Sequence, residues 1–227
     1  MNSITLEQSL GEQKEIFYFH AEGKRNMKQT IELVKARAVA LDLQKVVIFT
    51  GDGDGAFLLK EAVQGTNITV LAVTFPYRAT FRPEGKDGHS QEKIIPKTSN
   101  ADVRQKFLEK GIPLIQGVMP LWEIVLPGTV ESKVKVIHST FSLISGGFPL
   151  CVQAVLMSCD AGNVEPGEEV ISMSADTAIV ARAANTRWMF HPERGLEIRE
   201  IICMPRYCTI FRSGMYRGKS GDVKEEG

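Results

Sequence analysis

The residues able to do chemistry gather in one short stretch, Thr50-Gly51-Asp52-Gly53-Asp54-Gly55-Ala56. Glycines at every second position let the backbone turn tightly and approach a bound group. A helix starting near Ala56 aims its N–H groups and the positive end of its dipole at that group. The guest such a loop suits is a phosphate or a carboxylate. Asp52 and Asp54 complicate the match, because unpaired carboxylates repel an anion. Three roles stay open for them: capping the helix, for which Asp54 is the better placed, accepting sugar hydroxyls, or holding a divalent metal that bridges to the ligand.

Other signatures fail on the same residues. Gly51-x-Gly53-x-x-Ala56 meets the relaxed dinucleotide fingerprint, but the acidic residue that should end the next strand is missing from Ala72-Val73-Thr74-Phe75. No Gly-Lys-Ser/Thr follows the glycines, which removes a Walker loop. A calcium loop needs an oxygen donor and a glycine where Ala56 and Phe57 stand. His138 reads as a core histidine, and Asp176 with Thr177 reads first as a turn former. Spacing alone assembles no set of nucleophile, base and orienting group.

The elements that must position the loop follow from hydropathy. Val46 to Phe49 is apolar without a break, as befits a strand buried on both faces. A helix from Asn26, expected as its cap, to about Leu43 carries Met27, Ile31, Val34, Ala38 and Leu41 at helical spacing and leads into that strand. Phe57, Leu58 and Val63 predict a short helix stopped by Gly65, and Ile68 to Thr74 a second buried strand, together a right-handed βαβ unit. The proline-rich, basic run from Phe75 to Thr98 is a long loop of the kind that often carries function. Next come a helix capped by Ser99 or Asn100, a third strand near Pro113 to Val118, a helix marked by Val130, Val134, Ile137 and Phe141, and an almost wholly apolar helix over Leu150 to Cys159. Glu169 to Ser174 and Thr177 to Ala183 predict strands joined so briefly that they must form an antiparallel hairpin. Leu196 to Met204 predicts a last strand, placed at an edge by Pro205. Ile16 to Phe19 has strand character, residues 1–15 read as a flexible arm, 16–212 as one domain and 213–227 as a flexible tail.

Composition narrows the function classes. The chain has 227 residues with 27 Lys plus Arg against 27 Asp plus Glu, so no global field favours nucleic acid or an anionic membrane. Val136 to Cys159 is free of formal charge, yet His138, Gln153, several serines and the break at Gly146, Gly147 and Pro149 argue for buried helices rather than a membrane span. Four cysteines without a C-x-x-C pair, and no signal peptide, read as free thiols in the cytoplasm.

Several segments carry a family resemblance. Thr50-x-Asp52-Gly53-x-Gly55-Ala56 resembles the Thr-x-Ser-Gly-x-Ser-Ala loop in the C-terminal domain of pyruvate kinase, and Leu71-Ala72-Val73-Thr74 is similar to the strand after it. The likeness to stand-alone pyruvate kinase alpha/beta domain-like proteins is longer. It includes Glu22-Gly23-Lys24-x-Asn26, Gly146-Gly147, Ala154-Val155-Leu156-Met157, Asp160-Ala161-Gly162, Pro166-Gly167-Glu168-Glu169-Val170-Ile171, Ala175-Asp176-Thr177-Ala178 and Glu197-Ile198-Arg199-Glu200-Ile201-Ile202. The resemblance spans roughly Ile16 to Arg206.

It implies a three-layer α/β/α fold, pyruvate kinase C-terminal domain-like, with a mostly parallel sheet of order 3-2-1-4-5. Strand 5 is antiparallel, and an additional C-terminal strand follows. By similarity Thr50, Asp52, Gly53 and Gly55 take the place of the loop that holds a phosphate of a sugar bisphosphate effector. Asp52 and Gly55 replace its serines, and the effector loop between strands 4 and 5 is shortened to Ser174-Ala175-Asp176. The catalytic barrel is absent, so pyruvate kinase activity is not expected.

That strand order opens a crevice at the carboxyl ends of strands 1 and 4. Thr50, Gly51, Asp52, Gly53, Asp54 and Gly55 would line it, with Thr74 at the end of strand 2 and with Ser174, Asp176 and Thr177. Arg78 and Arg82 are the nearest basic residues able to fold over an anion. Gly146 and Gly147 are expected at the opposite rim. The expectation is a cytoplasmic, homo-oligomeric, non-catalytic or regulatory domain binding a small phosphorylated metabolite or nucleotide. No cofactor is expected, although a divalent metal stays open, and neither nucleic acid nor membrane is a partner. The alternative is an enzyme acting on such a molecule through Asp52, Asp54 or Asp176.

Overall fold

The computed structural model describes residues 11–80, 95–122 and 133–208. In chain order the strands are β1 (Phe17–Phe19), β2 (Lys45–Phe49), β3 (Thr69–Thr74), β4 (Leu114–Gln116), β5 (Glu169–Met173), β6 (Ala178–Arg182) and β7 (Glu197–Pro205). The helices are α1 (Met27–Ala40), α2 (Asp54–Ala62), α3 (Ala101–Glu109), α4 (Lys133–Ser142) and α5 (Phe148–Asp160). The strands form one α/β sheet in the order β1-β7-β6-β5-β2-β3-β4. It is mostly parallel, with antiparallel pairing only where β6 meets β5 and β7.

The apolar run of β2 explains its central place. Val46 and Ile48 point into one hydrophobic cluster with Met27, Ile31, Val34 and Ala38 of α1, Ala56 and Leu59 of α2 and Phe107 of α3. Val47 and Phe49 point into the other, with Phe148, Cys151, Val152, Val155 and Leu156 of α5. Side chains alternate between faces along a strand, so only a sequence apolar at every position can sit between two helical layers. Each such side chain, removed from water, contributes on the order of 1.5–3 kcal/mol. Eleven of the thirteen residues of α5 are buried, in keeping with its nearly unbroken apolar sequence, and the Phe141 and Phe148 rings, 5.7 Å apart, join it to α4.

The β5–β6 hairpin has the antiparallel register expected from its short link, Met173 opposite Ala178 and Glu169 opposite Arg182. Three other expectations need correction. β7 is not an edge strand: it lies between β6 and β1, and Pro205 stays in the ladder opposite Phe19. The edge is β1, whose three residues add a final parallel rung. Asn26 does not cap α1 through its side chain but fastens the preceding loop by donating from Nδ2 to the Ala21 carbonyl at 2.7 Å. His138 is half-buried on α4 rather than in the core, and burial lowers its pKa. A separate link ties α1 to β7, where the Arg37 guanidinium grips Glu200 through Nε at 2.8 Å and Nη2 at 2.5 Å. Among the described residues no helix is long and apolar enough to cross a membrane. The expected arm and tail fall largely, and Val130, Arg82 and most of the basic loop wholly, outside the described residues.

Candidate functional site

The expected site falls at a topological switch point, where β2 and β5 lie side by side while α2 follows β2 on one face and α5 precedes β5 on the other. Thr50 continues β2 and bonds the Val73 carbonyl through its N–H at 2.9 Å. Its Oγ1 turns back to accept the Gly53 N–H at 2.9 Å. Gly53 has φ +90°, a left-handed conformation that favours glycine, and so bends the chain into α2. Asp52 Oδ1 then accepts the Asp54 N–H at 3.1 Å. Thr50 thus satisfies the N–H of the N-cap residue Gly53, and Asp52 that of the first residue of α2. Asp54, the expected cap, makes no capping bond and is the first helical residue.

The free sides of both carboxylates meet a cation that sequence reasoning had not assigned. Lys24 Nζ donates to Asp52 Oδ2 at 2.5 Å and to Asp54 Oδ2 at 2.6 Å. The ammonium stands between the two carboxylates. Burial pushes the Asp52 carboxyl up, but the Lys24 hydrogen bond and charge, the Asp54 N–H and the charge of Lys97 outweigh it and hold Asp52 below the usual carboxylate range. The bonds to Asp52 and Asp54 raise Lys24 in turn.

The other lip is built on the hairpin. Ser174 N–H donates to the Thr177 carbonyl at 2.8 Å, and Thr177 Oγ1 lies 2.8 Å from Ser145 Oγ, which accepts the Phe148 N–H at the start of α5. Gly147 packs directly against this pair: a Cβ there would fall 2.3 Å from Ser174 Oγ and 2.7 Å from Thr177 Oγ1. The amino end of α5 therefore belongs to the same lip as Ser174 and Thr177, not to the opposite rim. A helix entering a parallel strand starts at the carboxyl edge of the sheet. Asp176 is 7% exposed and its Oδ2 accepts the Gly23 N–H at 2.7 Å. Burial raises its pKa and the charge of Glu22 adds to this, against the Gly23 and Thr177 hydrogen bonds.

One segment, His20 to Asn26, thus bridges the two lips, with Gly23 fastened to the hairpin and Lys24 to the α2 loop. Thr30, on the first turn of α1, adds a bond from Oγ1 to the Ala175 carbonyl at 3.0 Å. Of the other expected residues, Thr74 sits one strand away, its Oγ1 2.7 Å from Thr98 Oγ1, while Thr98 N–H donates to the Gly51 carbonyl at 3.2 Å. Thr74 supports the loop from behind. Arg78 contributes backbone: its N–H donates to Ser99 Oγ, its side chain is exposed, and no bond of that side chain reaches the crevice residues. Beyond β3 and β4 an open cavity of about 610 Å³ is lined by Pro76, Tyr77, Arg104, Gln116, Gly117 and Val118.

Burial disfavours the thiolate form of the cysteines near the hairpin. Cys151 beside Thr177 is pushed far up by burial and Cys203 up to about 12. No group of three or more His, Cys, Asp and Glu residues is arranged for a metal among the described residues. No protein-family model matches the chain.

Proposed function

We propose that this chain is a non-catalytic or regulatory domain that holds a small phosphorylated metabolite or nucleotide in the crevice at the carboxyl ends of β2 and β5. The observation that carries the reading is Lys24. A lysine reaches from another segment to stand in front of the amino end of α2, where helix dipole and ammonium favour the same negative group. In the free protein Asp52 and Asp54 both hold it, two carboxylates to one ammonium, which leaves one negative charge in excess. A phosphate dianion competes with them for the same ammonium, and the positive charge of Lys97, which also acts on Asp52, offsets the excess.

The finer fold class belongs to this proposal. The run β4-β3-β2-β5-β6 with β6 antiparallel supports a pyruvate kinase C-terminal domain-like sheet. Cytoplasmic location and homo-oligomeric assembly are part of the same reading.

A second reading, an enzyme acting on a phosphorylated small molecule, is favoured by one observation: Asp176 is buried and its pKa raised, as an acid–base group requires. Thermal-shift screening with sugar phosphates, nucleotides and divalent cations separates the two. The binding-domain reading expects a phosphorylated compound to raise Tm, and expects the shift to vanish in Lys24→Met and Thr50→Ala. A ligand at a hundredfold excess over its Kd adds about 2.7 kcal/mol, a shift of several degrees in a domain of this size. Stabilisation that needs a divalent cation and is lost in Asp52→Asn, with turnover lost in Asp176→Asn, establishes the enzyme instead.

A further inference from the structure

The segment from Ala183 to Leu196, between β6 and β7, lies at the end of the sheet opposite the crevice, because β6 runs antiparallel to β5. It is firmly built. Asp160, the last residue of α5, accepts bonds from Asn185 Nδ2 and the Thr186 N–H, both at 3.1 Å. Leu196 N–H donates to the Met189 carbonyl at 3.0 Å, and Arg182 Nη1 holds the carbonyls of Glu193 and Gly195. His191 Nδ1 accepts the backbone N–H groups of Glu193 at 3.1 Å and Arg194 at 3.2 Å.

On this fixed loop two guanidinium groups and an imidazole gather round one indole ring, with the exposed Glu193 as the carboxylate of the segment. The guanidinium carbons of Arg194 and Arg187 stand 4.9 and 5.6 Å from the centre of the Trp188 ring, and the His191 ring meets the indole edge-on at 5.5 Å. Since Nδ1 of His191 accepts, its ring proton sits on Nε2. That nitrogen lies 3.4 Å from Arg194 Nη2, so two donors face one another. Neither Arg187 nor Arg194 forms an ion pair with a carboxylate among the described residues.

We propose that Arg187, Trp188, His191 and Arg194 form a docking surface for an acidic peptide segment of a protein partner. A carboxylate oxygen placed between Arg194 Nη2 and His191 Nε2 satisfies both donors, and Arg187 offers a second cation 5.6 Å from the centre of the same indole. Trp188, 41% exposed, and Phe190, 69% exposed, add apolar surface on the same short turn. A free ion on so open a surface is screened by water and salt, whereas apolar side chains beside the carboxylates of a peptide gain by leaving water. The combination of aromatic and arginine side chains is the one that dominates protein interfaces.

The test measures fluorescence anisotropy of a labelled synthetic peptide that alternates Glu with Leu and Phe. It is titrated with the full chain beside a control carrying Lys for Glu. The acidic peptide should bind and the basic one should not. Arg187→Ala and Arg194→Ala should each weaken binding by about tenfold or more, the loss of a charged hydrogen bond. Arg194→Lys should fall between, and Lys28→Met, exposed on the first turn of α1, should bind as the parent. Both arginines are exposed and support no other element, so the variants should keep the parental circular dichroism and Tm. The proposal is overturned if the acidic peptide binds no better than the basic control, if both alanine variants bind as the parent, or if millimolar inorganic phosphate displaces the peptide completely, the mark of a small-oxyanion site.

Discussion

Lys24 owes its place to two carboxylates that would otherwise repel each other across the first turn of α2. More than half of its side chain is exposed, so solvent screening limits the pair's worth. Lys24→Met should cost no more than about 1 kcal/mol at neutral pH in urea unfolding. The sign of its pH dependence follows from the shifts. Asp52, lowered on folding, stabilises above its unfolded value near about 4 and loses that contribution as pH falls through its folded value. Lys24, raised, stabilises fully below about 10 and loses its contribution as pH rises through its folded value. The difference between parent and variant should be flat between those limits and close outside them. Asp176 behaves oppositely. Its pKa is raised on folding, so its contribution falls as pH rises from about 4 through the folded value. Asp176→Asn keeps an oxygen for the Gly23 N–H, and should therefore gain stability relative to the parent at pH 7 and show no gain at pH 3. Equal differences at both pH values would contradict the assignment. Sequence reasoning gives the cap to Asp54 and misses the bonds that Thr50 and Asp52 make, although their partners lie within three residues. Lys24 was not legible, because it acts 28 and 30 residues from its own position and no spacing rule reaches that far.

At the scale of elements, the two lips depend on close approach. Gly147 lets the amino end of α5 touch the β5–β6 hairpin, and Gly147→Ala drives a methyl into Ser174 Oγ and Thr177 Oγ1, held in a hydrogen-bond chain that has little room to yield. The expected cost is about 1–3 kcal/mol, read as a fall in the urea midpoint with an unchanged m-value. The hairpin itself was legible, since two residues between apolar runs leave no other connection. The edge placement of β7 was not. Pro205 argues for an edge only if nothing pairs beyond it. Here the Pro205 position faces Phe19 of β1, a strand of three residues whose pairing depends on a partner 186 positions away, the difference between 205 and 19. Gly146 and Gly147 could have been placed correctly from the direction of a right-handed crossover alone.

Across the whole molecule the hydropathy pattern held most of the information. Strands apolar on both faces and a helix apolar nearly all round can only be accommodated by a sheet between two layers, with α5 under a further cover. Leu156 of α5 is fully buried in the cluster it shares with β2 and β3, and Leu156→Ala should cost about 2–5 kcal/mol, against a small effect for an exposed position such as Val39→Ala. Balanced charge and the site geometry leave the ligand to be found by experiment, and one measurement bears most directly on it. Melting of the parent protein and of Lys24→Met should be followed with a panel of sugar phosphates and nucleotides at millimolar concentration. The account predicts that at least one phosphorylated compound raises the Tm of the parent by several degrees and leaves the variant unmoved. It is contradicted if no phosphorylated compound shifts the parent, or if the shift survives intact without Lys24.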